Sequence, residues 1–255
     1  MTDILLNGCN GRMGKMIVNS VKNDGRYRIA AGVDVKQTNE EAYYDFPVFR
    51  KLADYTGSAD VIIDFNNDHT KTEEILLYAE SKKLPDVIAT TGHTEDEINT
   101  IKKFSRTLPI FSSGNMSLGI NLLSVLIKKA ASVLGADFDV EIIEKHHNQK
   151  LDAPSGTALM LADALSGSLP FEPEYIYDRH SERKTRDKKE IGIHSIRGGT
   201  IIGEHEVIFA GKDEVITISH SAASREIFAA GALRAAEFII NKPAGMYNMN
   251  DLLNE

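Results

Sequence analysis

From Ile4 to Ser112 the chain alternates short apolar runs with amphipathic segments, and this alternation restricts the fold more than any other feature. Ile4–Leu6 reads as a strand, Arg12–Asn23 as a helix, and Tyr27–Val33 as a strand ending at Asp34. Val61–Phe65 (VIIDF) is a third strand, followed by a helix over about Lys71–Lys82 and a strand at Asp86–Ala89. Glu95–Arg106 reads as a helix and Pro109–Ser112 as another strand. Short buried runs separated by amphipathic helices imply parallel pairing through right-handed crossovers. The predicted fold is α/β, a Rossmann-type doubly wound parallel sheet.

After Ser112 the pattern changes. Leu118–Leu134 reads as a long, mostly apolar helix, Val140–Ile143 as a strand and Gly156–Leu165 as a helix. Between Ile191 and Ser219 the runs IGIHSI, TIIGEHEVIF and EVITIS follow one another with only glycine turns between them. That predicts a meander, and with it a smaller α+β domain on a mixed or antiparallel sheet. The polar run Arg179–Glu190 reads as an exposed loop. Ser224 is expected to cap a last helix over Arg225–Ile240, whose Ala229, Ala230, Ala232, Ala235 and Ala236 suit close packing. The expected division is a dinucleotide-binding domain at 1–116, a substrate-binding and oligomerisation domain at 117–224, and a tail, 225–255, returning to the first.

Composition narrows the classes of function. A net charge of −8 argues against nucleic acid as a partner, since phosphate binding calls for a basic surface. No run of about 18 apolar residues is seen, so no membrane span is expected, and the N-terminus lacks a basic flank and a full apolar signal core, so a cytoplasmic protein is expected. The single cysteine, Cys9, excludes an internal disulfide and a cysteine-rich metal site.

Two segments carry chemistry. Gly8-Cys9-Asn10-Gly11-Arg12-Met13-Gly14 is GxxGxxG between the first strand and the first helix. Gly8 permits the tight turn, Gly11 lets backbone approach a pyrophosphate, and Gly14 permits close helix–strand packing. The helix start then offers unpaired N–H groups to phosphates. Asp34, at the end of the next strand, stands where an acidic side chain accepts ribose hydroxyls. It favours NADH, whereas Lys36 would attract the 2′-phosphate of NADPH, and the choice stays open. Ala89-Thr90-Thr91-Gly92 and Ser113-Gly114-Asn115-Met116 lie at the carboxyl edge of the same sheet, where ligands bind in open parallel folds. A purely structural glycine loop is the plain alternative.

The second segment is Glu141–Thr157, EIIEKHHNQKLDAPSGT. His146 and His147 leave a strand on opposite sides, and Lys150 follows. Pro154 disfavours helical geometry at Ala153, so a helix should begin near Ser155 and leave the Gly156 and Thr157 N–H groups for a carboxylate. No third ligand stands at recognisable metal spacing, so no metal is expected. Proton donors beside an anion-binding turn suit a small anionic substrate.

These motifs resemble the dihydrodipicolinate reductase family over essentially the whole chain. The resemblance rests on Gly8–Gly14, Val61–Phe65, ATTG at Ala89–Gly92, GNMSLGIN at Gly114–Asn121 and, above all, EKHHNQKLDAPSGTA at Glu144–Ala158. It implies an NADH- or NADPH-dependent reductase of the diaminopimelate route to lysine, acting on a cyclic dicarboxylate, and a homotetramer joined through the C-terminal sheet. It further implies His146 as proton donor or acceptor, Lys150 as a second donor, and His147, Gly156 and Thr157 as substrate contacts. Cofactor contacts would come from Gly8, Cys9, Asn10, Gly11, Arg12, Met13, Asp34, Ala89, Thr90, Thr91, Ser113, Gly114, Asn115 and Met116. Two positions depart from the pattern. Val35 stands where NADPH-using members often carry arginine, and Asn66-Asn67 replace residues that can contact an anion. Other two-domain nicotinamide oxidoreductases of amino-acid metabolism, and a nucleotide sensor without catalysis, are the competing readings.

Overall fold

The computed structural model describes residues 1–22, 24–36, 38, 44–66 and 68–255. It divides into two compact units, Met1–Leu118 with Arg225–Glu255, and Gly119–Ser224. In chain order the strands are β1 (Thr2–Asn7), β2 (Tyr27–Val33), β3 (Val48–Phe49), β4 (Val61–Asp64), β5 (Asp86–Ile88), β6 (Pro109–Ser112), β7 (Asp139–His146), β8 (Glu174–Ile176), β9 (Glu190–Arg197), β10 (Gly203–Ala210), β11 (Val215–Ala222) and β12 (Gly245–Tyr247). The helices are α1 (Arg12–Lys22), α2 (Thr72–Lys82), α3 (Glu95–Phe104), α4 (Leu118–Leu134), α5 (Gly156–Ser166), α6 (Glu226–Ile239) and α7 (Met249–Leu253). Asn23, the expected end of the first helix, lies outside the described residues.

The first unit holds a seven-stranded sheet in the order β12-β6-β5-β4-β1-β2-β3, with every pairing parallel. The doubly wound expectation holds. Successive side chains on a strand face opposite ways, and the two cores follow from that. Ile4 and Leu6 join Ile63, Phe111, α1 and α6 on one face. Leu5 joins Ile62, Ile88, Ile110, α2 and α3 on the other. From β1 the chain runs outward to β2 and β3, then returns to β4 on the opposite side. The loops after β1 and β4 therefore meet at the topological switch point, the ligand-binding crevice of such sheets.

The last helix departs in detail from the expectation. Arg225, not Ser224, occupies its cap position, and Ala230 faces outward. Ala229, Ala232, Ala235 and Ala236 are fully buried.

The second unit holds a five-stranded mixed sheet, β11-β10-β7-β9-β8. α4 and α5 cover one face, burying Ile120, Leu123, Ile127, Leu161 and Leu165 against Val140, Ile142, Ile193, Val207 and Phe209. The predicted meander is corrected here. β10 and β11 form an antiparallel hairpin, but β7 lies between β10 and β9, antiparallel to the first and parallel to the second. The reason is the crossover through α5, which returns β9 parallel to β7. Residues 198–202 then pass over the end of β7, held by Gly198 N–H to the His146 carbonyl at 2.9 Å and Asn148 N–H to the Gly199 carbonyl at 3.2 Å.

The run Arg179–Glu190 is largely exposed, as expected, but it is anchored. Arg179 and Arg186 donate to Glu141 at 2.8 and 2.9 Å, and Glu190 is buried at the start of β9. A second correction concerns the apolar helix: Leu118–Asp137 is long and apolar enough on average to cross a bilayer. Its buried stripe instead belongs to the second unit's core.

Gly231 supplies the sharpest packing test. A β-carbon there would overlap the Met116 carbonyl oxygen. Gly231→Ala is expected to destabilise the protein by about 1–3 kcal/mol through overpacking, read as a lower denaturant midpoint.

Candidate functional site

In the first unit the glycine loop is built for close approach to the backbone after β4 and to its own. Gly8 has φ +83°, and a β-carbon on it would stand 2.6 Å from the Phe65 carbonyl oxygen. A β-carbon on Gly14 would overlap the Gly8 carbonyl oxygen, so this glycine lets the loop fold onto the first turn of α1. That differs from the helix–strand role expected for it. Gly11 N–H donates to the Gly8 carbonyl at 3.0 Å and closes the turn.

Asp34 pins this loop. One carboxylate oxygen accepts the Asn10 N–H at 3.0 Å, and the other accepts the Lys36 N–H at 2.9 Å. The Asn10 side-chain amide returns a bond to the Lys36 carbonyl at 2.6 Å. A cavity of about 460 Å³ opens beside them, lined by Gly8, Asn10, Gly11, Arg12, Asp34 and Lys36 among others. That volume is in the range of cofactor clefts. Arg50, Phe65, Asn66 and Asp68 also line it, and sequence reasoning passed over Arg50. Arg50 follows the short edge strand β3, and its guanidinium donates to the Val35 carbonyl at 2.8 Å. A strand of only two residues left no pattern to mark it. Asn67 lies outside the described residues.

The remaining predicted cofactor residues do not line this cavity. The Cys9 and Met116 side chains are buried in the first unit's core, and Met13 packs against it. Thr90 is buried, its hydroxyl 2.9 Å from both Asp64 and the Asn66 carbonyl, which ties the loop of Ala89 and Thr91 to the end of β4. The Ser113 hydroxyl donates to the Asn115 carbonyl at 2.9 Å, and the Asn115 side chain accepts the Ser117 N–H at 2.9 Å, which shapes the turn containing Gly114.

In the second unit the apolar inward row of β7, Val140 and Ile142, continues as Glu144 and His146, both buried. His205 occupies the matching row of β10, and Arg197 ends β9 opposite His146. Glu144 accepts from Arg197 at 2.6 and 2.8 Å, from the Ser155 N–H at 3.1 Å, and meets His146 Nδ1 at 2.6 Å. Burial pushes this carboxyl up, but hydrogen bonds from Arg197, His146 and Ser195 outweigh it and hold it at about 2. Burial lowers His146 below its ordinary value, with Glu144 opposing and Lys150 and Arg197 adding to the fall. The His205 ring sits edge-on to His146, with centroids 5.3 Å apart, and its Nε2 lies 3.1 Å from the Ser155 hydroxyl.

Ser155 caps α5 by accepting the Ala158 N–H at 3.2 Å. The helix start expected here is present, but the Gly156 N–H is not left unoccupied. It meets the Asp152 carboxylate, which also binds Lys150 Nζ at 2.9 Å. Gly156 itself is exposed, with open space beside it, and His147 and Thr157 are half-buried. The structure thus gathers His146, Lys150 and the Ser155–Thr157 turn. Sequence reading missed Glu144, Arg197 and His205; the period-two row from Val140 to His146 was the available signal.

A doubly wound sheet with a dinucleotide loop, joined to a unit carrying a carboxylate–histidine pair, defines a nicotinamide-dependent oxidoreductase. Residues 2–116 match the model described as dihydrodipicolinate reductase, N-terminus, and residues 119–253 match its C-terminus. The chain belongs to the dihydrodipicolinate reductase family and uses NADH or NADPH. It is 51% identical to the 4-hydroxy-tetrahydrodipicolinate reductase of Caldanaerobacter subterraneus subsp. tengcongensis, over 100% of this chain and 99% of that one. It is 49% identical to the Clostridium tetani enzyme of the same name, over 100% and 98%. Among solved structures it resembles a dipicolinate-bound dihydrodipicolinate reductase from Paenisporosarcina sp. TG-14, with TM-score 0.78 and 27% identity, over 98% of this chain and 99% of that one.

The low value at Glu144 has a consequence for stability. Its ordinary value is 4.5 and its folded value about 2, so its contribution is complete above about 4.5 and lost as pH falls towards 2. The denaturant midpoint should drop across that window, and the drop should shrink in Glu144→Gln.

Proposed function

We propose that this chain reduces 4-hydroxy-tetrahydrodipicolinate to tetrahydrodipicolinate, with His146 and Lys150 handling the proton and the Ser155–Thr157 turn gripping a substrate carboxylate. The observation that carries the reading is His146 Nδ1 lying 2.6 Å from a buried carboxylate that also binds the start of α5. One group thereby orients both the proton-handling ring and an anion-binding helix end. The pairing of Asp152 with Lys150 and Gly156 supports the same assignment, since these groups together bind a carboxylate. A substrate carboxylate would take its place.

When bound, the nicotinamide supplies a hydride to an electrophilic ring carbon, after loss of the substrate hydroxyl as water. The electron pair displaced on the ring requires one proton. His146 delivers it from Nε2 as the imidazolium, and Lys150 stabilises the developing negative charge or supplies the proton itself. His147, Gly156 and Thr157 hold the dicarboxylate.

Gly8, Asn10, Gly11 and Arg12 would hold the pyrophosphate and Asp34 the ribose. Lys36 and Arg50 would face a 2′-phosphate, so we read the site as accepting both cofactors. The C-terminal sheet is read as the surface of a homotetramer, supported by the exposed Ile196, Val215 and Ile216, with light scattering as the check. A cytoplasmic location accompanies this function.

The deciding assay follows NADH absorbance with the freshly formed condensation product of aspartate semialdehyde and pyruvate. His146→Gln should lower kcat by about 10²–10⁴-fold while leaving NADH binding intact. Equal turnover would remove His146 from the proton step. In Lys150→Ala both substrate affinity and rate should fall. Arg50→Ala should weaken NADPH about tenfold and NADH much less; equal losses would place Arg50 elsewhere than at the 2′-phosphate.

A further inference from the structure

The charged and titratable groups around His146 come from every element packed on it. Glu144 lies on its own strand, Arg197 ends β9, His205 lies on β10, and Lys150 and Asp152 stand in the link to α5. Glu144 is the only one of these that touches both the His146 ring and the first residue of the anion-binding turn. Its Oε2 meets His146 Nδ1 at 2.6 Å and its Oε1 accepts the Ser155 N–H at 3.1 Å. The Arg197 guanidinium grips both oxygens, at 2.8 and 2.6 Å, and adds a bond to the Asp152 carbonyl at 2.7 Å.

We propose that Glu144, clamped by Arg197, is a positioning residue that fixes His146 in its Nδ1–H form, keeps Nε2 for the reacting proton and supports the imidazolium formed there. The inference rests on the reading of His146 as the proton-handling residue. A carboxylate can only accept, so the ring must donate from Nδ1, and the neutral ring then carries its lone pair on Nε2. Protonation of Nε2 places a full positive charge beside Glu144. Of the surrounding charges, Arg197 and Lys150 oppose that state and Glu144 favours it. Asp152 is engaged by Lys150. Burial, with His146 beside it, holds His205 at about 4, so it stays neutral at working pH.

Arg197 therefore acts on the pair in two ways. It keeps the carboxylate charged and straight, and it also weighs against the imidazolium. Charge removal at the two positions should consequently shift His146 in opposite directions. A scaffolding role for either residue predicts no such opposition.

The experiment uses the full-length enzyme. The alkaline limb of kcat/KM against pH reports the protonated form of the free enzyme. Glu144→Gln should move this limb to lower pH by about one unit or more and cut kcat at neutral pH by about 10²-fold. Arg197→Gln should move the limb to higher pH. NADH binding, read by fluorescence, should be unchanged in both. Histidine-selective ¹⁵N NMR of the unsubstituted enzyme, with His146 assigned from the signal missing in His146→Gln, should show a neutral ring protonated at Nδ1.

Limbs that shift the same way, or not at all, overturn the proposal, as does a neutral ring protonated at Nε2. If Glu144→Gln fails to fold, the Arg197→Gln limb and the ring label decide between these outcomes. The label does not depend on turnover. Failure of the proton-donor reading, seen as undiminished activity of His146→Gln, is thus distinguishable from failure of the Glu144 assignment.

Discussion

A buried carboxylate at the end of an apolar row organises the second unit. Placing Glu144 among Val140, Ile142 and the α5 core would be costly if it were unpaired, and removing one partner from such a group typically costs several kcal/mol. Its partners come from three separate elements: Arg197 from β9, His146 from β7 and Ser155 from the start of α5. The strand order serves this meeting. Parallel pairing with the register Glu144 to Ser195 and His146 to Arg197 brings the guanidinium to the correct end of the sheet. An antiparallel neighbour in the meander order would have placed a different end of the strand there.

The first unit meets a comparable demand with backbone groups. Asp34 uses both carboxylate oxygens to hold Asn10 and Lys36, which ties the glycine loop to the end of β2. In the proposed cofactor site each oxygen would retain a further lone-pair direction for a ribose hydroxyl. The same bonds spread the carboxylate's charge over main-chain N–H groups, while Lys36 and Arg50 stand along the cavity wall.

The parallel sheet was legible because its strands centre on short apolar runs separated by helices, a pattern set by local burial. Short edge strands were not. β3, β8 and β12 are two or three residues long and exist through their neighbours' hydrogen bonds. The insertion of β7 between β9 and β10 was hidden for a related reason, since glycine turns reveal where a chain bends but not which strand it lands beside. In the site, His146, Lys150 and the Ser155 turn could be read from residue type and proximity in sequence. Glu144 and Arg197 could not be joined without the β7–β9 register, nor His205 without that of β10. The Asp152 carboxylate at Gly156 likewise depends on the path of the turn, which spacing alone does not specify.

The division of the first unit along the chain has a consequence for how it is made. Its core includes Ala229, Ala232, Leu233, Ala235, Ala236 and Ile239 from α6, and β12 completes its sheet beside β6. Those residues follow the whole second unit in the chain, so they are synthesised after it. The contiguous segment Gly119–Ser224 carries its own core and can close before them. During synthesis the N-terminal strands have only α1 to cover the α6 face of their sheet until the entire second unit has emerged. The first unit can therefore complete its core only after the second has been made, against the usual N-terminal-first order.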